Sequence, residues 1–88
     1  MTFETMGNTI RALSKTLVLE FMKATPVCQP GMSGMQQAQI FRECGFSWGD
    51  YPVATASNQQ YWLAAILWEL NAEEKVERVS QSGPWRLV

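Results

Sequence analysis

Apolar positions recur at helical spacing in three parts of this chain. In the first they fall at Ile10, Leu13, Leu17 and Phe21, with Val18 and Met22 widening the stripe and Arg11 and Lys15 on the polar side. Asn8 stands just ahead as an N-cap residue, a side chain able to accept from the free amides of a first turn. The spacing predicts a helix over about residues 9–24, preceded by an arm or short strand over residues 1–8. Thr25-Pro26 ends it, because the residue before a proline is pushed out of the helical region. Val27 to Gly34 reads as a loop. Met35, Ala38, Ile40, Phe41 and Cys44 then predict a short amphipathic helix, with Ser33 as its cap candidate. Gly45 suits the left-handed residue after that helix, and Phe46 suits the apolar partner that folds back on it.

The third helix starts from a capping box, Ser57 with Gln60, in which each side chain satisfies a backbone donor of the other. It is predicted to run to about Asn71, with Glu74 as its outer limit. Lys75–Val79 and Trp85–Val88 read as the two strands of a hairpin, and Ser80 to Pro84 as its turn. Ser47 to Ala56, with Trp48 and Tyr51, is a linking loop longer than the usual connection. The predicted class is mainly α with a small β-hairpin, in one domain over residues 9–88.

On a helical wheel Trp62, Leu63, Ile66, Leu67 and Leu70 share a face that should pack on the first helix and the hairpin. The opposite face holds Tyr61, Ala64, Ala65 and Trp68. A helix apolar nearly all round is normally buried on both sides, which an 88-residue chain hardly provides. Either the 47–56 loop folds over Tyr61 and Trp68, or Tyr61, Ala65 and Trp68 form an exposed patch for a protein partner or a second copy. Aromatic residues are enriched in interface cores. Stacking on single-stranded nucleic acid would want a basic track beside them, and the sequence lacks one.

Charge narrows the choice. The chain is formally −1. Residues 1–44 carry Arg11, Lys15, Lys23 and Arg42 against Glu4, Glu20 and Glu43, for +1. Residues 45–88 carry Lys75, Arg78 and Arg86 against Asp50, Glu69, Glu73, Glu74 and Glu77, for −2. A duplex-binding domain usually shows a basic excess, since phosphate neutralisation supplies much of its affinity. Histidine is absent, which removes the commonest general base and the commonest zinc ligand. The two cysteines, Cys28 and Cys44, cannot close a zinc site alone, and neither has a base to activate it. They are expected reduced, in a cytoplasmic protein with no cofactor, no metal and no catalytic residues. No basic-then-apolar leader opens the chain, so a secretory signal is not expected. The longest apolar run, Leu63 to Trp68, is far too short to span a membrane.

The order helix, helix, helix, hairpin resembles the winged helix-turn-helix superfamily. The tail carries the match: Leu67 and Leu70, then Lys75-Val76-Glu77-Arg78-Val79, then Gly83-Pro84-Trp85-Arg86-Leu87. The long link between the second and third helices is loosely similar to the amino-terminal domains of Mrr-type restriction enzymes. The resemblance implies that the third helix is the recognition helix, the hairpin is the wing, and the ligand is double-stranded DNA. On that reading Asn58, Gln59 and Gln60 meet the groove, while Lys75, Arg78, Arg86, Arg11 and Lys15 grip phosphates. The competing reading makes the three amides capping and solvated residues, and the hairpin a solvated element with Glu77 balancing its cations. The sequence also departs from the pattern. The turn before the first wing strand usually holds glycine, whereas here it is Glu74-Lys75; Asn71, which tolerates the left-handed conformation, is expected to supply it. No Lys or Arg lies between Arg42 and Lys75. Two functions follow: a winged-helix DNA-binding regulator, carried by the resemblance, and a winged-helix interaction or dimerisation module, carried by the aromatic third helix.

Overall fold

A computed structural model describes residues 2–47 and 57–88. Three helices and a hairpin follow in the order α1 (Phe3–Lys23), α2 (Gln37–Glu43), α3 (Ser57–Ala72), β1 (Val76–Arg78) and β2 (Trp85–Leu87). One 3-10 turn, Pro26–Cys28, lies between α1 and α2. The architecture is mainly helical with one small antiparallel hairpin. The 48–56 link, with Trp48 and Tyr51, lies outside the described residues, and so does the expectation that it covers α3. The side chains of Ser57, Asn58 and Gln59 lie outside them too.

α1 starts six residues before its predicted onset and absorbs the expected arm. Thr2 is the cap: its Oγ1 accepts from the Thr5 amide at 3.1 Å. Glu4 in the first turn complements the positive end of the helix dipole. Asn8 is therefore an interior residue, and its Oδ1 accepts from Arg11 Nη2 at 3.1 Å. At the other end Thr25-Pro26 stops the helix as predicted. Gln29 then folds back, and its Nε2 donates to the carbonyls of Met22, Lys23 and Thr25 at 3.0–3.1 Å. The carbonyls of Met22 and Thr25 also accept from the Thr25 and Cys28 amides, so Gln29 adds a second bond to each and ties the turn to the helix end.

The buried residues of α1 are Ser14, Val18 and Met22, while Ile10, Leu13 and Leu17 are exposed. Of the stripe that announces the helix, only its C-terminal part, Val18, Phe21 and Met22, reaches the core. α3, the 3-10 turn and β2 pack against α1. Every residue from Thr2 to Leu13 is exposed.

Met35 does not begin α2. Its backbone exchanges two hydrogen bonds with Trp85, N to O at 2.9 Å and O from N at 2.8 Å, which ties the chain ahead of α2 to the hairpin. Gly34 makes that approach feasible. It sits at φ +80°, and a Cβ there would lie 2.7 Å from the Trp85 carbonyl oxygen. Gln36, not Ser33, takes the cap position of α2, without a side-chain hydrogen bond. The C-terminus of α2 follows its prediction. Gly45 is left-handed at φ +77°; its amide reaches Arg42 O, the Phe46 amide reaches Phe41 O, and the two rings lie 6.2 Å apart. That is the Schellman arrangement with its apolar clasp.

α3 ends in the same way, but on a glutamate. Glu74 is left-handed at φ 63°, its amide donates to Asn71 O, and the Lys75 amide donates to Leu70 O. The expectation for Asn71 is overturned: it remains helical, and its Nδ2 instead donates to Val76 O at 3.0 Å, holding β1 to the helix end. The strands pair Val76 with Leu87, Glu77 with Arg86 and Arg78 with Trp85. The fully buried Trp85 belongs to one core cluster with Val18, Met22, Phe41, Leu63, Leu67 and Val76 among the described residues. Burial of each such side chain contributes about 1.5–3 kcal/mol.

Candidate interaction surface

The inward side of α3 carries Leu63, Ile66, Leu67 and Leu70, all buried. Its outward side carries Tyr61, 67% exposed, and Trp68, 51% exposed, with Ala65 exposed between them. Those three stand at i, i+4 and i+7, one stripe on the helix surface. Trp62, expected on the core-facing side, is also largely exposed; its ring meets Phe46 edge-on at 5.6 Å. Glu69 is the one charged residue of α3, so the helix itself contributes no cation to this face.

The cations expected to grip phosphates are engaged elsewhere. Lys15 is mostly covered and pairs with Glu69 at 2.9 Å and with Glu73. Its hydrogen bonds to Glu73 and Glu69 raise its pKa above 10.5. The same Lys15 bond holds the Glu73 carboxyl below its usual 4.5, helped by Lys75 at 3.3 Å. Arg86 and Glu77, cross-strand neighbours, pair at 2.7 Å, and Arg86 Nη1 also donates to Met32 O at 2.8 Å. Arg11 holds Asn8. Gln60 is half-buried, while Asn58 and Gln59 belong to the first turn of α3.

Arg78 has the most telling environment. Its guanidinium lies 4.9 Å from the Trp85 ring centroid and 5.4 Å from that of Trp68. The two indoles meet edge to face at 5.1 Å. Nη1 donates to Gln81 O at 3.1 Å. Nε is buried with no hydrogen-bond partner among the described residues. A cation held between aromatic faces gains up to about 2 kcal/mol when desolvated, and moving it to a phosphate forfeits that contact. The alternation that puts Val76 and Trp85 inward puts Arg78 inward too; Glu77 and Arg86 take the outer side.

The structure therefore splits the residues singled out from the sequence. Tyr61, Ala65 and Trp68 stand together on one exposed face. Arg11, Lys15 and Lys75 line a shallow depression with Asn8, Glu69 and Glu73, where the carboxylates offset the cations. Arg78 and Arg86 sit on opposite faces of the hairpin. No metal-binding group of three or more His, Cys, Asp or Glu occurs among the described residues, and no helix there is long and apolar enough to cross a membrane. Burial pushes the Cys44 thiol up to about 11, with the Glu43 charge and Cys28 adding to the shift, and burial raises Cys28 as well. Both are free thiols, and the rise keeps them protonated and poorly nucleophilic near neutrality.

No family model, curated protein or solved structure matches the chain.

Phe3 and Met6 escaped the sequence reading. They continue the spacing of Ile10 and Leu13 toward the N-terminus, but Gly7 and the threonines among them make a poor helical pattern.

Proposed function

We propose that this chain is a non-enzymatic winged-helix module that binds a protein partner through the outer face of α3. The helix order, the hairpin and the Met35–Trp85 bridge that joins the α1–α2 connection to it support the winged-helix reading. The observation that carries the function is the exposed Tyr61–Ala65–Trp68 stripe on a helix without cations. In a DNA-reading winged helix this side meets the groove, where base edges call for Arg, Lys, Asn or Gln. Here it offers two aromatic rings and an alanine, the composition of a contact that excludes water.

A photo-crosslinking residue at position 65, introduced in the native cell, tests the reading. The expected result is a discrete protein adduct that Trp68→Ala removes and that the same crosslinker at the exposed Ser82 does not give. Crosslinks to nucleic acid would overturn the reading, as would a pattern identical to that of position 82.

DNA binding remains the second reading, favoured by the element order and by Arg11, Lys15 and Lys75 meeting at one depression. It requires Lys15 and Lys75 to leave Glu69 and Glu73, and it predicts affinity that falls steeply with salt.

A further inference from the structure

We propose that α1 pairs with α1 of a second copy of this chain along Phe3, Met6, Ile10, Leu13 and Leu17. This surface includes none of Tyr61, Ala65 and Trp68 and does not depend on the function proposed for them.

The five residues are spaced 3, 4, 3, 4, the alternation of a coiled-coil seam. All five are exposed, from 43% at Leu17 to 93% at Phe3. Large apolar residues scattered singly are normal on a protein surface; a continuous stripe of five marks a contact. At about 100° per residue they fall within a narrow band centred roughly 100° from the side that buries Ser14, Val18 and Met22. The helix can thus hold its own domain on one side and a partner on the other.

Three features select a second copy as that partner. A 3-4 seam is filled by a helix of the same spacing, and this chain carries one, so the surface is complementary to itself, as a two-fold interface must be. Ile10 and Leu13 occupy alternate seam positions with a β-branched residue at the first, the combination that favours two strands. The residues flanking the seam, Gly7, Thr9, Ser14 and Thr16, are uncharged. A second copy therefore sets no like charge against like charge, and no charge code directs the seam to a different chain. Phe3 to Leu17 spans about 21 Å of helix, which gives less than the roughly 800 Å² per partner of a standard interface. The association is thus weak, with Kd of about 1–100 μM.

Sedimentation equilibrium of the full chain from about 0.5 to 300 μM, bracketing that Kd range, tests this. Expected are a monomer–dimer equilibrium in the wild type, a monomer throughout for Leu13→Lys and Ile10→Lys, and unchanged dimerisation for Trp68→Ala. Because Ile10 and Leu13 are exposed in the single chain, circular dichroism of both lysine variants at low concentration should match the wild type; a variant that unfolds is replaced by Leu13→Ser. A wild type that stays monomeric at the highest concentration overturns the proposal and leaves the α3 reading intact. A dimer that survives Leu13→Lys but is lost in Trp68→Ala also overturns it, and moves self-association to α3.

Discussion

The two long helices of this chain make opposite use of their apolar residues. α3 turns Leu63, Ile66, Leu67 and Leu70 into the core around Trp85, where each is essentially inaccessible. The N-terminal two-thirds of α1 carries an equally regular stripe and leaves it in solvent. Periodicity is the same kind of signal in both, yet the partner is present for one and missing for the other. Apolar spacing shows that a helix needs a neighbour; only the packing shows whether the fold supplies it.

The sharpest way to break that comparison is truncation on each side. Trp85→Ala removes a fully buried indole together with its contacts to Arg78 and Trp68, at an expected cost of about 3–5 kcal/mol in denaturant unfolding. That is a large share of the stability of a small domain. Leu13→Ala, measured at low protein concentration, should cost no more than about 0.5 kcal/mol. Comparable losses would mean that α1 is packed within the single chain. Gly34→Ala comes next. At φ +80° and 2.7 Å from the Trp85 carbonyl, the added methyl should cost about 1–3 kcal/mol and loosen the Met35–Trp85 bridge, seen as faster amide exchange at both residues.

A smaller change goes the other way. Glu74 holds a left-handed conformation that glycine adopts without strain. Glu74→Gly should therefore raise stability by about 0.5–1 kcal/mol, read as a higher denaturant midpoint with an unchanged slope. The smallest effect is electrostatic. The carboxyl of Glu73 is held below its usual 4.5, chiefly by the hydrogen bond from Lys15. Its contribution is present above that value and fades as pH falls through the lower folded-state pKa. Lys15 titrates above 10.5, so its share is present below 10.5 and fades as pH rises through the folded value. Glu73→Gln should flatten the acid limb of a stability–pH curve; an unchanged limb would show that the pair contributes nothing measurable.

Much of the fold was legible where chemistry is local. Pro26 after Thr25 ended α1, and Gly45-Phe46 announced the capped end of α2, because proline and glycine act through their own backbones. The hairpin showed in two short strand-like runs, Lys75–Val79 and Trp85–Val88, on either side of the Ser80–Pro84 turn. What escaped depends on distant partners. The Met35 bridge is a single residue pair and has no period to detect. Glu74 in the left-handed region breaks the residue preference that made Asn71 the better candidate. Which side of α1 faces the core follows from where α3 and β2 lie. The cations of the proposed wing were visible as residues, but their pairing with Glu69, Glu73, Glu77 and the two indoles arises only once the strands and helices meet.

The central claim is that the exposed surfaces of this domain serve protein association and that Arg11, Lys15, Lys75, Arg78 and Arg86 are committed internally. Titration of the purified chain into a labelled random-sequence duplex, at roughly 50 mM salt where phosphate contacts are strongest, tests it most directly. The expected result is no saturable binding up to about 100 μM, the weak end of non-specific duplex affinity. Saturable binding that weakens linearly in log salt, with a slope made shallower by Arg11→Ala and Arg86→Ala, would contradict it.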